Sequence, residues 1–195
     1  MNLEPGWDSR VVHDELERVR ADFHRLLESS NADDLAAWSD GTRWTNEQLL
    51  FHMLFGYLIV WALLGLVKIF SRLPERFSRA YARILDAVTG PFDRVNYLGS
   101  CVGARVFDRR RMGPKMDRVI AALHRRLERE DPAALGRGMH YPTRWDPFFT
   151  PYMTVAAIYR YPTQHYDFHR RQLTLATSPS PSTASDSAPP GTSPP

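Results

Sequence analysis

An uncharged run of nineteen residues, Leu49–Val67, constrains the fold of this chain more than any other feature. A helix over this run would be about long enough to cross a bilayer, by the roughly 20-residue criterion. In a soluble protein the same run predicts a helix buried nearly all round at the centre of a bundle. Because a single membrane span would strand His52 away from polar partners, we favour the buried helix. Gly56 and Gly65 also interrupt the run. Membrane association through residues 49–67 stays as the alternative.

The sequence on the N-terminal side of this run predicts a first amphipathic helix over Asp8–Leu27. Its apolar residues recur at alternating steps of four and three, which is typical of one helical face: Val12, Leu16, Val19, Phe23 and Leu26. His13 and His24 lie off this stripe or at its edge, so we expect them to be solvated. Thr45 and Gln48 are spaced as a capping box, which predicts the start of the second helix.

The second helix should reach about Phe70, after which the pattern changes. Pro74 ends it or begins a shorter helix, Glu75–Val88. The segment Phe92–Arg111 is ambiguous, since its Gly and Ser content fits either a close-packed turn or a broken helix. We therefore predict an elaborated helical crossover between the second and third main helices.

Two more main helices complete the pattern. The third should begin at Pro114, because proline is favoured in the first helical turn. The fourth should run from about Phe148 to Thr174, kinked at Pro162, with Trp145 as an anchor beneath it. Its inward face would carry Thr154, Ile158, Tyr161, His165, Phe168, His169 and Gln172. The fold class predicted is all-α, a four-helix bundle.

Three histidines are the candidate metal ligands. His165 and His169 are four residues apart, which places both imidazoles on one face of a helix. His52 lies on the second helix, and facing helices in a bundle can bring such side chains together. Three ligands leave a coordination position open, which suits a reactive metal. Nitrogen ligands fit zinc, nickel, iron or copper. The simpler alternative is that each histidine is an ordinary hydrogen-bonded residue.

Three further residues could support such a site. Gln172, three residues after His169, could orient that imidazole. Tyr161 is the candidate catalytic residue, because it could donate a hydrogen bond to a metal-bound ligand, although a packed aromatic with a satisfied hydroxyl fits equally well. Asp167 lies between the two histidines and should point away from them into solvent.

Two motifs resemble the DinB/YfiT-like superfamily. The first is W-T-x-x-x-L-L-F-H, from Trp44 to His52, and the second is Y-P-x-x-H-x-x-x-H-x-x-Q-L, from Tyr161 to Leu173. The resemblance covers roughly residues 8–175.

The resemblance implies a four-helix bundle of up-down-down-up order in which a histidine triad holds a divalent metal. On this chain the triad is His52, His165 and His169. It also implies use of low-molecular-weight thiols such as mycothiol or bacillithiol, since known members include thiol-dependent S-transferases and isomerases. The resemblance is weakest between Phe70 and Arg111, where this chain is longer than typical members.

Composition and charge limit the cellular compartment and the kinds of partner that we expect for this protein. With Cys101 as the one cysteine, no intramolecular disulfide can form, so we expect a reducing cytoplasm and a buried thiol. A net charge of +3 is too weak to indicate nucleic acid, and the basic residues from Arg105 to Arg129 alternate with acidic ones, as on a solvated helix face. Residues 1–175 would form the helical domain. The Ser- and Pro-rich composition of residues 176–195 predicts a disordered tail.

The leading hypothesis is a cytoplasmic metal-dependent enzyme that acts on a small-molecule substrate with a low-molecular-weight thiol. The alternatives are a non-catalytic metal-binding bundle linked to stress, and a membrane-associated protein. A homodimer is compatible with each of them.

Overall fold

The computed structural model describes residues 7–175. Its helices and strands follow in this order: α1 Ser9–Ser29, α2 Ala32–Ala36, α3 Asn46–Phe70, α4 Glu75–Ala87, α5 Thr89–Val106, α6 Arg109–Leu127, α7 Pro132–Leu135, β1 Gly138–His140, β2 Tyr152–Thr154 and α8 Val155–Arg170. The four long main helices form a ring, because α1 and α3 each pack against both α6 and α8. The all-α bundle is therefore confirmed, with one short hairpin added to it.

Helix α3 lies at the centre of the packing, in contact with α5, α6 and α8. It begins with the predicted capping box, in which Thr45 and Gln48 each accept from the other's backbone N–H. The helix is long and apolar enough to cross a membrane, yet 56 % of its most apolar window is buried inside the protein. Its first half is mostly buried, as predicted. Its second half exposes Ile59, Trp61 and Leu63, so the prediction of burial nearly all round is wrong there.

The predicted crossover is present as two helices, α4 and α5. The ambiguous segment is helical, and two of its small residues, Ser100 and Gly103, lie against α3. A Cβ atom at Gly103 would lie 2.0 Å from the ring of Phe51, so only glycine permits this approach of α5 to α3. Close helix contact, rather than a turn, explains Gly103, whereas a Cβ atom at Gly99 would meet no atom of the described residues within 4 Å.

Two predicted helix boundaries are wrong. Helix α6 begins at Arg109, five residues before Pro114, because the side chain of Asp108 accepts from the backbone N–H of Arg111 and caps it there. Pro114 lies inside the helix, at the cost of one backbone hydrogen bond.

Helix α8 begins at Val155 and not near Phe148. Residues 152–154 pair antiparallel with residues 138–140, and Thr154 then caps α8. The helix ends at Arg170, four residues before the predicted end. Trp145 packs against the crossover and not beneath α8, since its ring stacks on Phe92 with centroids 3.7 Å apart.

Two predictions of exposure, for His13 and His24, and one prediction of burial, for Cys101, are also wrong. His13 is half-buried and stacks on His124 of α6, with ring centroids 4.7 Å apart. His24 is half-buried too, and its Nε2 lies 2.8 Å from Asp117. Cys101 is half-buried and not fully enclosed. The arginines from Arg105 to Arg129 are mostly exposed, as predicted. The predicted tail, residues 176–195, lies outside the described residues.

Candidate metal centre

The three predicted histidines converge between two main helices. His52 projects from the first turns of α3, and His165 and His169 project from the last turns of α8. One potential ligand atom from each lies within 4.8 Å of the others. A Cβ atom at Gly56 would lie 3.1 Å from Cδ2 of His165, so the small residue one turn after His52 leaves room for that ring.

A buried carboxylate orients His165. Nδ1 of His165 lies 2.9 Å from Oδ2 of Asp146, and the hydroxyl of Tyr161 donates to the same oxygen at 2.9 Å. Burial raises the pKa of Asp146, but the hydrogen bonds from His165 and Tyr161 outweigh it, and the net shift is downward. An ionised Asp146 therefore accepts from Nδ1–H of His165, and Nε2 is the nitrogen left for another partner.

The other two imidazoles are oriented in the same way. Nδ1 of His52 lies 3.1 Å from Oγ of Ser100, whose own hydroxyl donates to the carbonyl of Asn96 at 2.9 Å, so Ser100 accepts from His52. Nδ1 of His169 lies 2.6 Å from Oε1 of Gln172. Each Nδ1 thus faces an acceptor, and each Nε2 keeps its lone pair for another partner.

Burial favours the neutral form of two of these imidazoles, His52 and His169. Burial, followed by the charges of His165 and His169, places the pKa of His52 well below 6.5. Burial also lowers the pKa of His169 to about 4, against a smaller raising effect from its hydrogen bond to Gln172. Within residues 7–175, Nε2 of His165 is buried and has no hydrogen-bond partner. Such an orphaned nitrogen is costly unless a ligand completes it.

Trp44 covers one side of the three histidines. Its ring stacks on His52 with centroids 4.4 Å apart, and its edge meets His169 at 6.3 Å. The indole N–H reaches the carbonyl of Tyr97 on α5 at 3.5 Å. Trp44 belongs to the first sequence motif, but no role was predicted for it. It shields the imidazoles from water on the side facing α5.

A cavity of about 330 Å³ opens on another side of the histidines. His52, His165 and Asp146 stand at one end of it, and mostly apolar side chains from α3, α4, α5, α8 and the 139–153 segment form the rest of the wall, together with the amide of Asn96. A small molecule in this cavity would have its polar end beside the imidazoles.

The structure gives a different result for each of the three residues that were considered as possible support for the histidines. Gln172 contacts His169 as the spacing indicated. The Tyr161 hydroxyl is engaged by Asp146, which fits the packed-aromatic alternative, and its catalytic role stays a prediction. Asp167 faces solvent, as predicted, and pairs with Arg18 at 2.8 Å.

Asp146 and Ser100 were missed. Asp146 lies in an irregular loop, where no periodicity marks a side chain as inward-facing. The available signal was general: metal-binding histidines commonly donate to a carboxylate, and Asp146 is an acidic residue in the loop before the last helix. Ser100 carried no signal, because its position follows from the packing of α5 on α3.

These features define the class of the protein: a helical bundle with three convergent histidines between α3 and α8. The model of the DinB superfamily matches residues 15–173, most of the chain, and the protein belongs to that superfamily. No curated protein and no solved structure matches it.

Proposed function

We propose that the protein binds one divalent metal ion through His52, His165 and His169 and is a metal-dependent enzyme of the thiol-dependent transferase or isomerase type. One observation carries the proposal: all three Nδ1 atoms face acceptors, so the three Nε2 atoms remain for a common partner. A hydrogen-bonded core would instead supply partners for these nitrogens.

The chemistry of the donors fits a divalent cation. Neutral imidazole nitrogens bind zinc, nickel and iron, and the donor set does not choose among them. The Asp146 carboxylate behind His165 makes that imidazole a stronger ligand and partly neutralises a buried positive charge. Among the described residues, the cation would have three protein ligands, an arrangement typical of catalytic sites and not of structural ones.

When bound, a divalent ion with an open position lowers the pKa of a thiol or water and holds it as the anion. The chain's own residues would prepare this step. Asp146, Ser100 and Gln172 fix the three rings, and Trp44 keeps water from one side. A thiol from a small cofactor would serve as nucleophile, so no cysteine of the chain is needed for this role. Such chemistry fits a reducing cytoplasm.

Elemental analysis tests the metal, on protein purified without chelator or nickel resin. We expect about one equivalent of a divalent metal per chain, and strong loss of it in the single variants His52→Gln, His165→Gln and His169→Gln. Asp167→Asn is the matched control, since Asp167 lies on α8 between two of the histidines but pairs with Arg18. Full metal content in the His52→Gln variant would overturn the proposal.

A structural ion is the second candidate, because the three histidines join α3 to α8 and an ion there would cross-link two main helices. Thermal unfolding and turnover separate the two. With glutathione, mycothiol and bacillithiol as co-substrates, an enzyme loses turnover in the histidine variants and keeps its fold. A structural ion instead predicts a large fall in melting temperature on metal removal.

A further inference from the structure

The cavity beside the histidines has two chemically different ends. At the inner end stand His52, His165 and Asp146. Apart from Asn96 and the tyrosines, the remaining wall is apolar, and typical members are Phe55, Val60, Leu85, Phe92, Phe149 and Met153. Among the described residues that line it, there is no lysine, arginine or glutamate. A charged group lying in the apolar part would lose its hydration without gaining a partner.

The crossover supplies much of this wall. Tyr81 and Leu85 come from α4, and Phe92, Val95 and Gly99 come from α5. Trp145 closes the wall from the loop side, since its indole N–H donates to the carbonyl of Leu85 at 2.8 Å. The insertion between the second and third main helices therefore shapes the cavity.

The cavity opens onto an apolar surface. Its lining includes Ile59, Leu63 and Val95, whose side chains are exposed. Of the fourteen exposed large apolar side chains in residues 7–175, twelve lie between Ile59 and Val106. A ligand that enters here meets apolar side chains before it reaches the histidines, which favours an apolar molecule at each stage.

We propose that this cavity binds the uncharged, apolar body of the substrate, an alkyl chain or aryl group, with a single polar reactive group at the histidine end. The inference rests on the proposed function and names its substrate class. A volume of about 330 Å³ is at the small end of the range for pockets that enclose small molecules. A polar thiol cofactor would have to reach the histidines from outside this cavity.

Binding of an uncharged fluorophore, N-phenyl-1-naphthylamine, to the full chain tests the inference without turnover. We expect saturable binding with one site per chain, in both metal-loaded and chelator-treated protein. Straight-chain alcohols should displace the dye, with affinity rising about fourfold for each added methylene until the chain outgrows the cavity.

Two glycines of α5 provide a matched pair of variants. A Cβ atom at either Gly99 or Gly90 would meet no atom within 4 Å among the described residues, but only Gly99 lines the cavity. Gly99→Leu should weaken dye binding at least tenfold, whereas Gly90→Leu should bind as the unaltered protein does. Both replace a helical glycine by a better helix former, so both should fold.

A second pair of variants tests the same inference if the glycine variants fail to fold. Val95 and Leu98 are 69 % and 58 % exposed on α5, and only Val95 lines the cavity. Val95→Glu should weaken dye binding because it places a charge at the opening, and Leu98→Glu should not.

The inference would be overturned if dye affinity were equal in both members of both pairs, or if the affinity of the alcohols did not depend on their chain length. Because the dye is also measured on chelator-treated protein, a failure of metal binding would leave this result standing. Conversely, bound metal with no dye binding would defeat the substrate class alone.

Discussion

Helix α8 carries two pairs of inward-facing polar side chains that are offset by one residue and face different partners. His165 and His169 face His52 on α3, and at least one ring nitrogen there is buried without a hydrogen-bond partner in residues 7–175. Tyr166 and Arg170 face Asp22 on α1, where the hydroxyl donates at 2.9 Å and the guanidinium at 3.0 Å. Tyr166 and Arg170 therefore have their hydrogen-bond partner within the protein, whereas a buried nitrogen of the histidine pair has none among the described residues.

The comparison separates polar groups that stabilise the fold from polar groups that bind a ligand. Burial raises the pKa of Asp22, but the hydrogen bonds from Tyr166 and Arg25 and the charge of Arg170 outweigh it, and the net pKa is lowered. Asp22 is thus an ionised carboxylate with its acceptors filled. Burial lowers the pKa of His52 and of His169, and Nε2 of His165 is buried without a hydrogen-bond partner in residues 7–175, which is costly unless a ligand completes the site.

Removing Asp22 should have the largest effect on stability. Asp22→Ala leaves the fully buried hydroxyl of Tyr166 unpaired and removes the partner of Arg170. We expect a loss of about 3 kcal/mol in the free energy of unfolding, the low end for a broken buried pair because the Arg170 side chain is 40 % exposed. Chemical denaturation measures it, and the metal content should not change.

Asp167→Ala is the control for this variant, because Asp167 also joins α8 to α1 but does so in an exposed pair with Arg18. It should cost less than about 1 kcal/mol. If the two variants cost the same, or if Asp22→Ala loses its metal, the separation of the two pairs is wrong.

Asp146→Asn should have a smaller effect, and on the metal instead of the fold. The amide keeps the size of the side chain but removes the negative charge behind His165. We expect metal affinity to fall by about 10- to 100-fold, as for other partners of ligating histidines. Competition with a chromogenic chelator measures it, and Asp167→Asn should show no change. An unaltered affinity in Asp146→Asn would contradict the role given to the carboxylate.

Sequence reasoning reached the histidines because their positions depend on local geometry. A spacing of four places His165 and His169 on one face wherever that helix lies. His52 followed from one further inference, that the apolar run containing it is a central helix of the bundle. The capping box at Thr45 and the crossover were also accessible from local pattern.

The remaining features depend on contacts between distant segments. Helix α8 begins later than predicted because residues 152–154 form backbone hydrogen bonds with residues 138–140. Helical periodicity in the sequence does not indicate such a pairing. Asp146 approaches His165 only because the loop folds back onto α8. His13 is half-buried because His124 lies opposite it on α6. Such contacts depend on tertiary packing, so local sequence propensity does not predict them.

The central claim is that His52, His165 and His169 share one metal ion. Anomalous diffraction at the absorption edge of the metal found by elemental analysis tests it most directly. We predict one strong peak about 2.0–2.1 Å from each of the three Nε2 atoms, if the metal is zinc. A peak bound by the α8 histidines but remote from His52, or no peak between the two helices in metal-containing protein, would contradict the account.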